Sequence, residues 1–102
     1  MSTKFEMIIC IANAGFSGEV MEAAREVGAT GGTVLHARGT ARKKAEETFA
    51  ITVNPEKDLI IIAVNSSIKD NVLKAIYEKA GLGTDANAVA FSLPITNSVG
   101  IK

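Results

Sequence analysis

EVGATGGTVLHARGT, residues 26–40, leads from the end of a predicted helix through a glycine-rich turn into a short apolar strand and out of it again. Glycine adopts backbone angles that other residues resist, so the GATGG run is typical of a tight turn. Glycine also lets backbone N–H groups approach an anion, and threonine adds a hydroxyl group, so the run equally suits a ligand site. The residues alone leave both interpretations open.

A strand and a helix are predicted upstream of this stretch. Residues 4–13 are apolar at both alternating positions, which is typical of a central strand. Ser17 is placed to cap a helix with apolar residues at helical spacing, and Gly28 stands where a helix-ending glycine belongs. The glycine-rich turn then enters a second strand at about 31–38.

The remaining elements are predicted from composition and periodicity. In chain order they are a charged surface loop at 39–47, a short strand at 48–53, an NPEKD turn at 54–58, a strongly apolar strand at 59–65, a helix capped by Ser66 or Ser67 and ended by Gly81, and a last strand at 88–95 that stops near Pro94.

With the short segment 48–53 counted as part of the connecting loop, this order of elements is β-α-β-(loop)-β-α-β, the ferredoxin-like plan. We therefore expect a single α+β domain over residues 1–102, with an antiparallel sheet and both helices on one face. The strands at 4–13 and 59–65 are apolar on both sides, so the helix-free face also needs burial. An oligomer satisfies that need, and we expect Ile8, Ile60 or Ile62 to face a neighbouring subunit.

Composition narrows the classes of partner and compartment. Eleven basic residues balance eleven acidic ones, which gives no global reason to expect nucleic acid or an anionic membrane as partner. The apolar run 7–12 is far shorter than the ~20 residues of a membrane span, and no signal peptide is recognisable. A single cysteine suits a reducing compartment, so we predict a cytoplasmic protein.

The sequence contains no recognisable catalytic or metal-binding constellation. Cys10 and His36 are the only residues of their types, and we interpret them as a core residue and an ordinary strand residue. No nucleophile–base pair or carboxylate pair has a spacing typical of a catalytic site, so we predict that the chain is not an enzyme.

One cluster of charge favours an anionic ligand. Arg38, Arg42, Lys43 and Lys44 fall within seven residues directly after the glycine-rich strand. Guanidinium and ammonium groups on a loop suit phosphate or carboxylate recognition. A solvated loop, with glutamates at 46 and 47 as counter-charges, has the same composition, so this pattern is a weak signal by itself.

The stretch VGATGGTVLHARGTARKK, residues 27–44, resembles the PII signal-transduction proteins. Their helix-end glycine, Thr-Gly-x-Thr-Val strand entry and glycine-arginine exit precede a mobile T-loop. The element order and the closing AFSLPITNSVGI, residues 90–101, are also similar, so the resemblance covers most of the chain.

This resemblance implies that the protein is a homotrimer and that it takes part in nitrogen regulation. It also implies that small anionic effectors, with ATP or ADP expected first, bind in clefts between the subunits. Loops of the protein are implied to contact a target enzyme or membrane transporter. The resemblance implies that Thr33 lies near the cleft, Gly39 close to the ligand and Arg42 where an arginine reaches a phosphate. With Arg38 and Lys43 from the basic cluster, these are the predicted ligand-binding residues, and no metal site is predicted. The resemblance favours the ligand interpretation of the glycine-rich run.

Four departures from the family pattern keep other functions open. They are a T-loop cut to about 39–50 without a tyrosine, Lys43 in place of a glutamine that helps hold 2-oxoglutarate, Val89 in place of a phosphate-loop lysine, and Gly100 and Lys102 in place of C-terminal arginines. The alternative is a trimeric PII-like or CutA-like scaffold that has lost nucleotide binding. An acylphosphatase-like hydrolase ranks third, because the segment after the first strand, ANAGFSG, has no basic residue.

Overall fold

A computed structural model describes residues 4–40 and 55–101. The elements formed by these residues are, in chain order, β1 Phe5–Asn13, α1 Ser17–Glu26, β2 Thr33–Arg38, β3 Glu56–Asn65, a 3-10 helix Ser66–Ile68, α2 Lys69–Ala80 and β4 Val89–Ile95.

The four strands form one antiparallel sheet in the order β2-β3-β1-β4. The two helices pack on one face of this sheet, and the predicted ferredoxin-like fold is confirmed. Pro94 is the last residue but one of β4, which ends at Ile95, as predicted. An edge strand tolerates a proline, because one side of its backbone makes no ladder hydrogen bonds.

The core lies between the sheet and the helices. Alternate residues of β1 and β3 point into it, among them Ile8, Ile60 and Ile62, whose side chains are fully buried against Val20 of α1 and Val72 of α2. The expectation that Ile8, Ile60 or Ile62 faces a neighbouring subunit is therefore wrong. Their alternation puts them under the helices of their own chain.

The opposite side of the sheet, which we call the open face, is also apolar. Its residues are Phe5, Met7, Ile9 and Ile11 of β1, Leu35 of β2, Leu59 and Ile61 of β3, and Val89, Phe91, Leu93 and Ile95 of β4. None of these side chains is in the buried core formed by the described residues. Monomeric proteins rarely expose so continuous an apolar surface.

Two glycines end their helices as predicted. Gly28 has a φ of 111°, and its N–H donates to the Arg25 carbonyl at 3.1 Å. The N–H of Gly81 donates to the Tyr77 carbonyl at 3.0 Å.

The predicted caps and one predicted turn are wrong. Ser17 is the first residue of α1, because Phe16 takes the cap position without a side-chain hydrogen bond. Asn65, and neither Ser66 nor Ser67, caps the second helical segment: its Oδ1 accepts the Ser67 N–H at 2.9 Å. Residues 56–58 belong to β3, because each pairs across the sheet with a residue of β2. The predicted strand at 48–53 and most of the predicted loop at 39–47 lie outside the described residues.

None of the helices in the described part of the chain is both long and apolar enough to cross a membrane.

Cys10 lies in the core, as expected, and its environment predicts low reactivity. Its side chain is fully buried, and that burial raises the pKa of the thiol to about 11. Because the thiolate is the nucleophile, the native protein at pH ~8 should react with iodoacetamide far more slowly than the protein in denaturant. Mass spectrometry of timed samples measures both rates. Equal rates would show that Cys10 is accessible in the folded chain.

Candidate functional site

Strand β2 carries the predicted site residues that the structure describes. Thr33 begins the strand, Arg38 ends it, and Gly39 follows directly. At ~3.3 Å per residue, Thr33 and Gly39 are about 20 Å apart. One chain therefore cannot bring both of them to the same end of a small ligand. Arg42 and Lys43 lie outside the described residues.

The chain leaves the sheet at Gly39, where a backbone hydrogen bond to Pro55 holds it. The Gly39 N–H donates to the Pro55 carbonyl at 2.7 Å. Next to it, Arg38 Nη1 lies 3.5 Å from Glu56 Oε1, and both side chains are largely exposed. An exposed ion pair of this length contributes little to stability, so the guanidinium of Arg38 remains accessible to a ligand.

Lys57 lies across Gly39, a contact that the sequence did not predict. A Cβ placed on Gly39 would sit 3.1 Å from Lys57 Cε and 3.3 Å from Lys57 Cγ, so the lysine stem occupies the space that a side chain would fill. The Lys57 ammonium donates to Asn13 Oδ1 at 2.6 Å. Lys57 pairs with Ala37 across β2 and β3, so only the strand register reveals its position beside Gly39.

Asn13 connects this lysine to residues 81–88, the loop between α2 and β4. Its backbone N–H donates to the Ala86 carbonyl at 2.9 Å, and its Nδ2 donates to the Asp85 carbonyl at 2.9 Å. The strand exit at Gly39 and the loop before β4 therefore meet at one end of the sheet. The resemblance implies that the first of these segments lies close to the ligand and that the second corresponds to a phosphate-binding loop. We call Asn13, Arg38, Gly39 and Lys57 the exit cluster.

A buried carboxylate lies on the helix side of the same sheet end. Asp58 is only 3% exposed, and its Oδ2 accepts the Gly15 N–H at 3.1 Å. Its Oδ1 lies 3.1 Å from His36 Nδ1, whereas the imidazole itself is 94% exposed. A carboxylate only accepts hydrogen bonds, so the proton of this contact belongs to His36 Nδ1. The sequence predicted a turn at Asp58 and gave no sign of this pair.

Two shallow depressions lie at the other end of β2. They have volumes of about 290 and 380 Å³ and share Thr30 and Ala63 in their walls. Lys4 is the one charged residue in the wall of the first, and the second, which Gly31, Gly100 and Ile101 complete, has none. The first depression thus has one cation in its wall, whereas the exit cluster has two, Arg38 and Lys57. Within 4–40 and 55–101, no group of three or more His, Cys, Asp or Glu residues is placed to hold a metal.

Comparison with known proteins finds a matching family model and similar solved structures. The family model "Nitrogen regulatory protein P-II" matches residues 5–102. The crystal structure of Arabidopsis thaliana PII bound to citrate is similar with a TM-score of 0.68 and 24% sequence identity, covering 92% of this chain and 77% of that chain. At that identity the structural likeness supports the fold alone. No curated protein sequence matches significantly.

Proposed function

The chain belongs to the nitrogen regulatory protein P-II family, and we propose that it is a regulatory protein of the cytoplasm that binds a small anionic effector in clefts between three subunits. An adenine nucleotide is the effector proposed first. Binding alters the contact that the loops make with a partner enzyme or membrane transporter. The chain acts through these contacts and not as a catalyst.

The exit cluster is the observation that carries this proposal. Arg38 and Lys57 lie beside Gly39, and the sequence places Arg42, Lys43 and Lys44 in the segment that follows. Two cations thus lie at this end of the sheet, and three more follow Gly39 in the sequence of a chain whose net charge is zero. Charge-assisted hydrogen bonds from such groups are the usual means of holding phosphates and carboxylates.

Two further observations support a cleft made by two subunits. Thr33 and Gly39 lie about 20 Å apart at opposite ends of β2, so a ligand near both needs one from each of two chains. The open face offers an apolar surface through which the chains can associate.

The scaffold alternative has its own support. Val89, which stands where the family pattern has a lysine, begins β4 and is largely exposed on the open face, where it supplies no charge to the exit cluster. The relative from Arabidopsis thaliana holds citrate, so a polycarboxylate is a second class of effector to test beside nucleotides. A thermal-shift screen with ATP, ADP, 2-oxoglutarate, citrate and bicarbonate separates the alternatives, because a ligand of the native state raises its stability.

Replacing Arg42 by alanine is expected to weaken binding of the effector found in that screen. The loss should be about 1.5–3 kcal/mol, the usual contribution of a hydrogen bond to a charged group. Isothermal titration calorimetry measures it, with Lys74→Ala as the control, since Lys74 is an exposed cation on α2. Equal affinity in wild type and Arg42→Ala would remove this arginine from the site. If none of the compounds binds the wild type, the scaffold alternative is correct.

A further inference from the structure

Asp58 and His36 form a pair in which the carboxylate is buried and the imidazole is exposed. A carboxylate buried away from water destabilises the folded state by several kcal/mol unless hydrogen bonds replace its hydration. Asp58 has such bonds on both oxygens, one from the Gly15 N–H and one from His36 Nδ1. Of the charged side chains in the described residues, Asp58 is the buried one.

The hydrogen bonds of Asp58 reach the exit cluster through the turn between β1 and α1. Asp58 holds Gly15 of this turn, and Asn13, two residues earlier, holds the ammonium of Lys57 at 2.6 Å. Lys57 and Asp58 are neighbours in β3 and point to opposite faces of the sheet. The position of the turn therefore links the carboxylate on the helix side to the lysine on the open face.

His36 brings a titratable group to this linkage. Its neutral ring exists as two tautomers, and only the one with a proton on Nδ1 donates to Asp58; the protonated ring always donates. The charged neighbours on the elements beside it are Arg38 on β2 and Glu56, Lys57 and Asp58 on β3, while residues 14–16 of the turn carry no charge.

We propose that Asp58 and His36 are positioning residues for the Lys57 ammonium, and that protonation of His36 tightens the arrangement and strengthens effector binding. The part of this proposal that concerns affinity rests on the proposed function. The coupling from His36 through Asp58 to Gly15 does not. The imidazole is 94% exposed, so its charge is well screened and the change in affinity should be about three- to fivefold.

The coupling is tested by the amide resonance of Gly15 in ¹H–¹⁵N NMR spectra. Histidine side chains ordinarily titrate between about pH 5 and 8, and the Gly15 resonance should move with the same midpoint as the His36 ring. In His36→Asn the amide nitrogen can still donate to Asp58 but does not titrate, so the movement should vanish. In Asp58→Asn the ring still titrates while Gly15 should no longer follow it. A Gly15 resonance that does not move with the titration of His36 in the wild type would overturn the proposal.

The effect on binding is tested by calorimetry with ATP and with citrate at about pH 5.5 and 8.5, in wild type and His36→Asn. Each probe changes its own ionisation over this range, but it does so equally for both proteins. The ratio of their affinities therefore isolates His36, and it should be about three- to fivefold larger at the lower pH. A ratio that does not change with pH would overturn the positioning role even if Gly15 follows His36. If neither probe binds either protein, the proposed function fails, and the Gly15 resonance still decides whether the coupling exists.

Discussion

Replacing Ile62 by aspartate is expected to unfold the domain. Ile62 is fully buried between the sheet and the helices and pairs with Ile8 across β1 and β3. Truncating such a side chain removes about 2–5 kcal/mol, and a carboxylate without a partner in the core adds several more. A domain of 102 residues has only about 5–15 kcal/mol of stability in total. The sum of the two losses is therefore comparable to the total free energy of unfolding of the domain.

Circular dichroism and thermal denaturation measure this outcome, and two variants show that it depends on the site. Ile62→Val keeps the position apolar and should lose only about 0.5–1.5 kcal/mol. Val99→Asp introduces the same carboxylate at a position 98% exposed and should leave the melting temperature nearly unchanged. A cooperative melting transition of Ile62→Asp within a few degrees of the wild type would show that Ile62 is not in the core.

Strand periodicity and the order of turns were enough to predict the fold, but not which side of the sheet the helices cover. Residues 7–12 of β1 and 59–64 of β3 are apolar at every position, so alternation marks two faces without distinguishing them. In the structure the helices lie on the face with Cys10 and Ala12, where Ala23 and Ala24 of α1 pack closely. Small residues on this face let the helices pack closely against the sheet. The prediction for Ile8, Ile60 and Ile62 failed because it did not take the small size of residues such as Cys10 and Ala12 into account.

The candidate site was only partly predictable for a different reason. The glycine-rich entry and the basic residues after it are local features, and sequence alone reveals them. Lys57 and Asp58 lie in NPEKD, whose composition is that of a turn. Their roles arise because β3 pairs with β2 and places them beside Gly39 and His36. Contacts between residues about 20 positions apart depend on register, which composition does not encode.

Replacing Phe91 by aspartate is expected to separate the subunits without unfolding them. Phe91 pairs with Ile9 across β1 and β4 on the open face and is 43% exposed in the single chain. A folded monomer can hydrate an aspartate there, because β4 is an edge strand. In an assembly that covers the open face, each copy would instead bury an unpaired carboxylate, at several kcal/mol per subunit. Three copies multiply that penalty, so a trimer should not survive the change.

Size-exclusion chromatography with light scattering measures the assembly, which we expect at three times the protomer mass for the wild type and at the protomer mass for Phe91→Asp. Tyr77→Asp is the control, since Tyr77 is 66% exposed on α2, on the other side of the sheet, and its replacement should leave the trimer intact. A wild type that is monomeric, or a Phe91→Asp variant that stays trimeric, would contradict assembly through the open face.

The same variant also tests whether the effector site needs two chains. Because Thr33 and Gly39 lie about 20 Å apart in one chain, a folded Phe91→Asp monomer should keep its helical signal in circular dichroism and lose nearly all of its affinity for the effector. Loss of binding with an intact fold would tie the ligand to the contact between subunits. A folded monomer that binds ATP as tightly as the wild type would instead place the site within one chain, with the exit cluster alone supplying its positive charge.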